Sequence, residues 1–140
     1  MNRVGSARWE GDLAHGKGTL RSASGAVSAS YSFGTRFGDT PGTNPEELIA
    51  AAHAACFSMA LAADLGKAGS TPRAVETTAT VHLEKRDGRF TITGIDLDCR
   101  VSVDGLASES LRAIADGTKE GCPVSRALAA VPISLRVATV

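Results

Sequence analysis

The chain has 140 residues, 43% of them hydrophobic, enough for one core and too few for two independent domains, so residues 1–140 read as a single domain. Fifteen basic residues balance fifteen acidic ones; no net field favours nucleic acid or an anionic membrane surface, and a small or neutral partner fits better. No unbroken apolar run reaches the roughly 18 residues of a spanning helix and Met1 to Glu10 lacks a signal-like apolar stretch, which makes the cytoplasm the expected compartment.

The first forty residues are rich in Gly, Ser and Thr, with turn signals at Gly16-Lys17-Gly18 and Ser24-Gly25 between short segments holding Trp9, Leu20, Val27, Tyr31 and Phe33. This predicts a meander of strands. Phe37 to Asn44, with Gly38, Asp39, Pro41 and Gly42, has loop chemistry. At Asn44 a helix is expected to start: Asn44 suits the N-cap, Pro45 the first helical position, and Glu47 sits where its carboxylate can meet free backbone donors. It should run through Leu48, Ala52, Cys56 and Met59 to about Leu65, with Gly66 or Gly69 near its end.

Beyond Pro72, Val75, Thr77, Ala79, Val81 and Leu83 alternate with polar residues, the period of a half-buried strand. Asp87-Gly88 makes a turn, and a second run follows through Phe90, Ile92, Ile95, Leu97, Cys99 and Val101, with a possible irregularity at Gly94. Ser108 to about Lys119 is helical by the spacing of Leu111, Ile114 and Ala115; a break at Gly121 precedes a short helix entered through Cys122-Pro123, and Ile133, Leu135 and Val137 form a closing strand.

Three widely spaced cysteines, Cys56, Cys99 and Cys122, resemble neither a secreted disulfide framework nor a paired zinc motif. Cys99 shares an apolar strand face and reads as a buried hydrophobe. Cys56 lies mid-helix among alanines, where a thiol without a cation nearby is a poor nucleophile; His53, one turn earlier on the same face, is either such a cation or a packing residue. Cys122 precedes Pro123 at a helix start, where unpaired donors favour an anionic sulfur, although a cysteine there can also serve merely as a cap.

The stretch Gly42-Thr43-Asn44-Pro45-Glu46-Glu47-Leu48-Ile49-Ala50-Ala51-Ala52-His53-Ala54-Ala55-Cys56-Phe57 closely resembles the first-cysteine helix of the OsmC/Ohr superfamily of thiol peroxidases. Gly121-Cys122-Pro123-Val124-Ser125 resembles its second-cysteine signature, and Ala7-Arg8-Trp9-Glu10-Gly11 with Gly16-Lys17-Gly18-Thr19 its opening; His53 and Thr35-Arg36-Phe37 are similar to the OsmC branch. The resemblance implies an α+β OsmC-like fold: curved antiparallel sheets wrapped around long central helices in an intertwined homodimer with active sites at the interface. It implies reduction of organic hydroperoxides, with hydrogen peroxide a poorer substrate, in oxidative and osmotic stress defence. By the same resemblance Cys56 is peroxidatic, Cys122 resolving, Glu46 the active-site carboxylate and Arg36 the activating guanidinium, with Arg21 as rival. Apolar neighbours Phe37, Phe57 and Met59 would either receive an alkyl chain or simply pack. No cofactor is implied; the reductant would be an external dithiol, for which the relation to Ohr proteins suggests the lipoyl type.

Spacing adds an independent reason to expect a dimer. Glu46 and Cys56 are ten residues apart, about 15 Å along a straight helix, so Glu46 should serve the partner's Cys56 unless the helix bends. Two other classes fit the same residues. One is a redox sensor or binding protein using the cysteine pair without efficient turnover. The other is a metal module built from Cys56, Cys122 and His53, which lacks a visible fourth ligand.

Overall fold

The computed structural model describes residues 1–140. In the unit Met1–Leu48, strands β1 (Gly5–Glu10), β2 (Lys17–Ser22) and β3 (Ser28–Ser32) form an antiparallel meander in that order. Gly18 lies opposite both Trp9 and Tyr31, whose rings meet at a centroid distance of 5.4 Å. A Cβ at Gly18 would stand 2.5 Å from the Tyr31 ring, so the missing side chain is what lets an aromatic lie across the strand. A five-residue helix, α1 (Phe33–Phe37), follows directly on β3. The sequence reading places Phe33 with the strands and has no helix here. Five residues are too few to show a helical apolar repeat, and what nucleates α1 is a reciprocal cap between Ser32 and Thr35, each backbone N–H donating to the other's hydroxyl oxygen at 2.9 and 3.2 Å.

Helix α2 (Pro45–Lys67) begins in this unit and continues through the next. The Glu47 N–H donates to Asn44 Oδ1 at 2.8 Å, as an N-cap requires. The Glu47 carboxylate, expected to serve the backbone, instead accepts from the Thr43 hydroxyl at 2.9 Å. At the far end Gly69 takes a left-handed φ of 81° and the Ser70 N–H reaches back to the Leu65 carbonyl. By length and average composition α2 is long and apolar enough to cross a membrane, a correction to the reading from unbroken apolar runs: alanine raises the average although polar residues interrupt the run. Phe57, Leu61 and Leu65 of α2 are fully buried members of the hydrophobic core.

The unit Ile49–Val140 carries a second sheet of β4 (Ala74–Arg86), β5 (Arg89–Ser102) and β6 (Ile133–Thr139), with helices α3 (Ser108–Gly121) and α4 (Pro123–Ala127) between the last two strands. Strands β4 and β5 make a hairpin through Asp87 and Gly88, whose φ values of 49° and 79° suit a tight turn whose twist matches the strands. The register shifts where His82 faces Gly94 and Leu83 faces Ile92, leaving Thr93 extra, the irregularity expected at Gly94. Beyond it Ile95, Leu97, Cys99 and Val101 bury one face; Phe90, before it, is 50% exposed. The antiparallel pairings are joined by one parallel pair, β5 with β6, which the α3–α4 crossover makes possible. Leu111 and Ala115 of α3 complete the same core as Phe57.

Candidate active site

Two groups of the expected residues are assembled, one in each unit. In the first, the carbonyl of Thr35 accepts from the Asn44 side chain at 3.2 Å, tying α1 to the start of α2 and setting Arg36 beside Glu46. The guanidinium grips the carboxylate twice over: Nη2 lies 2.6 Å from Oε1, and Nε 3.1 and 3.2 Å from the two oxygens. Glu46 is buried at 8% exposure while the Arg36 side chain keeps 34%. A buried pair of this kind adds little net stability, because desolvation offsets attraction; what it does is fix where the guanidinium points. Arg36 also lies 5.1 Å from the Phe37 ring centre, and it borders a cavity of about 280 Å³ walled by Trp9, Tyr31, Phe33 and Phe37. The rival Arg21 is exposed on β2 and its Nε reaches Ser6 at 3.4 Å.

In the second unit, Cys122 Sγ and Cys56 Sγ stand 3.3 Å apart with no bond between them. Residues 66 positions apart meet because α2 carries Cys56 and Phe57 into the core while the α3–α4 junction delivers Cys122 to it, fully buried. The two thiols are not equivalent. Burial raises the pKa of Cys56; the Val124 N–H lowers it by less than burial raises it, and Cys122 at its side adds to the rise. Burial also works against ionisation of Cys122, but the Ser125 N–H and hydroxyl, the Cys56 thiol and the Val124 N–H outweigh it and set its pKa below the ordinary thiol value. These backbone donors act on the sulfur from the start of α4 without forming a full capping bond.

Of the two readings of His53, a cation for Cys56 or a packing residue, the structure favours packing. His53 is fully buried, its Nε2 lies 2.8 Å from Ser125 Oγ, and burial lowers its pKa, which keeps the ring neutral. No three His, Cys, Asp or Glu side chains are grouped so that they could hold a metal ion. Phe57, offered as a wall for an alkyl chain, has no exposed surface and belongs to the core; Met59 is 75% exposed. Cys99 is buried, and burial raises its pKa, with the Thr77 hydroxyl 3.4 Å from its sulfur. Sequence reading gave no role to Ser125, or to Trp9, Tyr31 and Phe33 as walls around Arg36. The aromatics come from separate strands and a helix that spacing does not align, whereas Ser125, three residues after Cys122, could have been noticed at that spacing.

Comparison with known proteins places the chain in a family. The family described as OsmC-like protein matches residues 37–136. Peroxiredoxin OsmC of Escherichia coli (strain K12) is 50% identical over 131 residues, covering 93% of this chain and 92% of that protein. The organic hydroperoxide resistance protein of Xanthomonas axonopodis pv. citri (strain 306) is 34% identical over 87 residues, 61% of this chain and 59% of that one. The crystal structure of the organic hydroperoxide resistance protein OhrB of Bacillus subtilis superposes with a TM-score of 0.74 at 27% identity, over 96% of this chain and 98% of that chain. With a fold shared along nearly the whole chain and half its residues identical to a named member, this chain belongs to the OsmC-like protein family.

Proposed function

We propose that the chain is a thiol-dependent peroxidase that reduces organic hydroperoxides, and hydrogen peroxide more weakly, to alcohols and water. The names of its relatives, peroxiredoxin and organic hydroperoxide resistance protein, support the reaction class. The observation that carries the chemistry is the 3.3 Å separation of the Cys56 and Cys122 sulfurs: closing it to a bond of about 2.05 Å needs only about 1.3 Å of movement. In the first step the Cys56 thiolate attacks the terminal peroxide oxygen; an S–O bond forms, the O–O bond breaks, and the alkoxide leaves as the alcohol after taking a proton. In the second, Cys122 attacks the Cys56 sulfenic acid, an S–S bond forms and water departs. An external dithiol, of the lipoyl type, then exchanges with the disulfide and restores both thiols.

The raised pKa of Cys56 within its own unit calls for a positive group to make its thiolate. Arg36, locked to Glu46, is the group we assign. Glu46 and Cys56 stand ten residues apart on α2, about 15 Å along the helix axis, so we assign each guanidinium to the Cys56 of a twofold-related partner. The face of α2 carrying Ala52, Ala55, Met59 and Ala63 is exposed in the single chain, and it offers small residues for close helix pairing in such a dimer. We place the reaction in the cytoplasm, in defence against oxidative and osmotic stress. Mass spectrometry after one equivalent of an alkyl hydroperoxide tests the reading: a bond joining Cys56 to Cys122 is expected, with repeated turnover once a dithiol is supplied. Oxidation that leaves both residues unlinked, or a single oxidation that dithiol cannot recycle, argues for a sensor and against this enzyme.

A further inference from the structure

The buried polar group left unexplained by the peroxidase chemistry is the pair His53 and Ser125. His53 has no exposed surface, Ser125 is 4% exposed and Cys122 has none, so each polar atom finds most of its partners within the protein. The His53 Nε2 to Ser125 Oγ distance is 2.8 Å, while His53 Nδ1 is buried without a partner. That orphaned atom decides the tautomer. A proton on Nδ1 would leave a buried N–H donor unmet, which folded proteins rarely tolerate; a proton on Nε2 leaves only a lone pair unmet and places the N–H on Ser125. A serine oxygen that already accepts from His53 is free to turn its own hydrogen elsewhere; Ser125 follows Cys122 by three residues in the first turn of α4, and its hydroxyl is among the groups that draw the Cys122 thiol down. Cys56 is the other titratable group against that sulfur, and it stands on α2 one helical turn beyond His53.

We propose that His53 and Ser125 form a buried, one-way hydrogen-bond relay, His53 Nε2–H to Ser125 Oγ and Ser125 O–H to Cys122 Sγ, which holds Cys122 as a thiolate aimed at oxidised Cys56. The inference rests on the peroxidase reading and assigns positioning roles for its second step. Before that step the Cys122 proton has left for solvent, and the relay holds the anion that remains. The thiolate electron pair makes the S–S bond, the S–O bond of the Cys56 sulfenic acid breaks, and the departing hydroxide takes a proton to become water. Cys122 sulfur is oxidised and Cys56 sulfur reduced by the same amount, so the step needs no further oxidant. His53 and Ser125 finish as they began, neutral and hydrogen-bonded. Protonated His53 is no part of the cycle, in keeping with its burial.

The relay is tested first without peroxide. In a protein whose only thiol is Cys122, carrying Cys56→Ser and Cys99→Ala, ultraviolet thiolate absorbance is titrated. Adding Ser125→Ala or His53→Leu should raise the midpoint by about one unit. Ser125→Thr, which keeps a hydroxyl, and His53→Gln, whose amide N–H can replace Nε2–H, should keep the midpoint near the parent value. Midpoints that do not move in either Ser125→Ala or His53→Leu overturn the relay; should Ser125→Ala fail to fold, the Leu and Gln versions of position 53 decide. A second measurement follows the sulfenic acid by dimedone trapping after one equivalent of alkyl hydroperoxide in the three-cysteine chain. Ser125→Ala should lower the ratio of disulfide-forming to sulfenic-forming rate constants about tenfold, the worth of one hydrogen bond to a charged group. An unchanged ratio overturns the catalytic part of the proposal. Absence of both sulfenic acid and a Cys56–Cys122 disulfide in the parent would instead sink the peroxidase function, while the peroxide-free titration still decides the hydrogen-bond relay.

Discussion

Cys56 and Cys122 face one another at 3.3 Å with opposed tendencies, the first pushed up by burial and the second drawn down by the donors around it. On the proposed mechanism the attacking Cys56 sulfur depends on charge delivered from elsewhere, and Arg36→Met should raise the Cys56 pKa by about one unit or more, read from the pH dependence of its oxidation rate. An unmoved profile would return attention to Arg21. Cys56→Ser should abolish turnover, and Cys122→Ser should allow one oxidation and then stall; near-normal steady-state activity in the Cys56→Ser protein would refute the assignment. His53 adds a stability signature. Its pKa is lowered by burial from an ordinary value of 6.5, so its contribution is fully present above that value and is lost as pH falls below it, where the unfolded chain takes the proton more readily. Urea midpoints should drop between about pH 7.5 and about pH 5 by more in the parent than in His53→Gln, where nothing at position 53 titrates.

Helix α2 gives three services from three faces. Its start presents Glu46 to Arg36, one face buries Phe57, Leu61 and Leu65, and another leaves Ala52, Ala55 and Met59 exposed. Because Phe57 is sealed in the core, Phe57→Ala should cost about 3–5 kcal/mol of stability by denaturant titration, and the folded fraction should keep its discrimination between alkyl hydroperoxides of different length. A large change in that discrimination would return Phe57 to the substrate wall. The α1 helix works by position more than by stability: five residues capped by Ser32 and Thr35 carry Arg36 and Phe37 to the cavity edge. Its shortness is why hydrophobic periodicity could not announce it, whereas α2, with a clean Asn44 cap and a long apolar run, was legible to within two residues of its end.

At the scale of the whole molecule, the exposed small-residue face of α2 and the ten-residue spacing of Glu46 and Cys56 make one joint prediction. Light scattering should find a dimer, and Ala55→Arg, which places a long cation on that face, should give monomers of unaltered circular dichroism that have lost peroxidase turnover. Monomers with full activity would show that each chain activates its own thiol.

Sequence by itself determined the elements whose chemistry is local: the Asn44 cap, the alternation of β4 and β5, the Asp87-Gly88 turn, and the family, since long runs around Cys56 and Cys122 carry its signature. Only the tertiary structure decided which atoms face each other. That Cys56 lies against Cys122, that Arg36 rather than Arg21 holds Glu46, that Phe57 is core, and that His53 turns to Ser125 are outcomes of packing between segments up to 72 residues apart. Residue spacing carries helical and strand periods along the chain, but it holds no record of the angle at which one element meets the next, and a hydrogen bond depends on that angle.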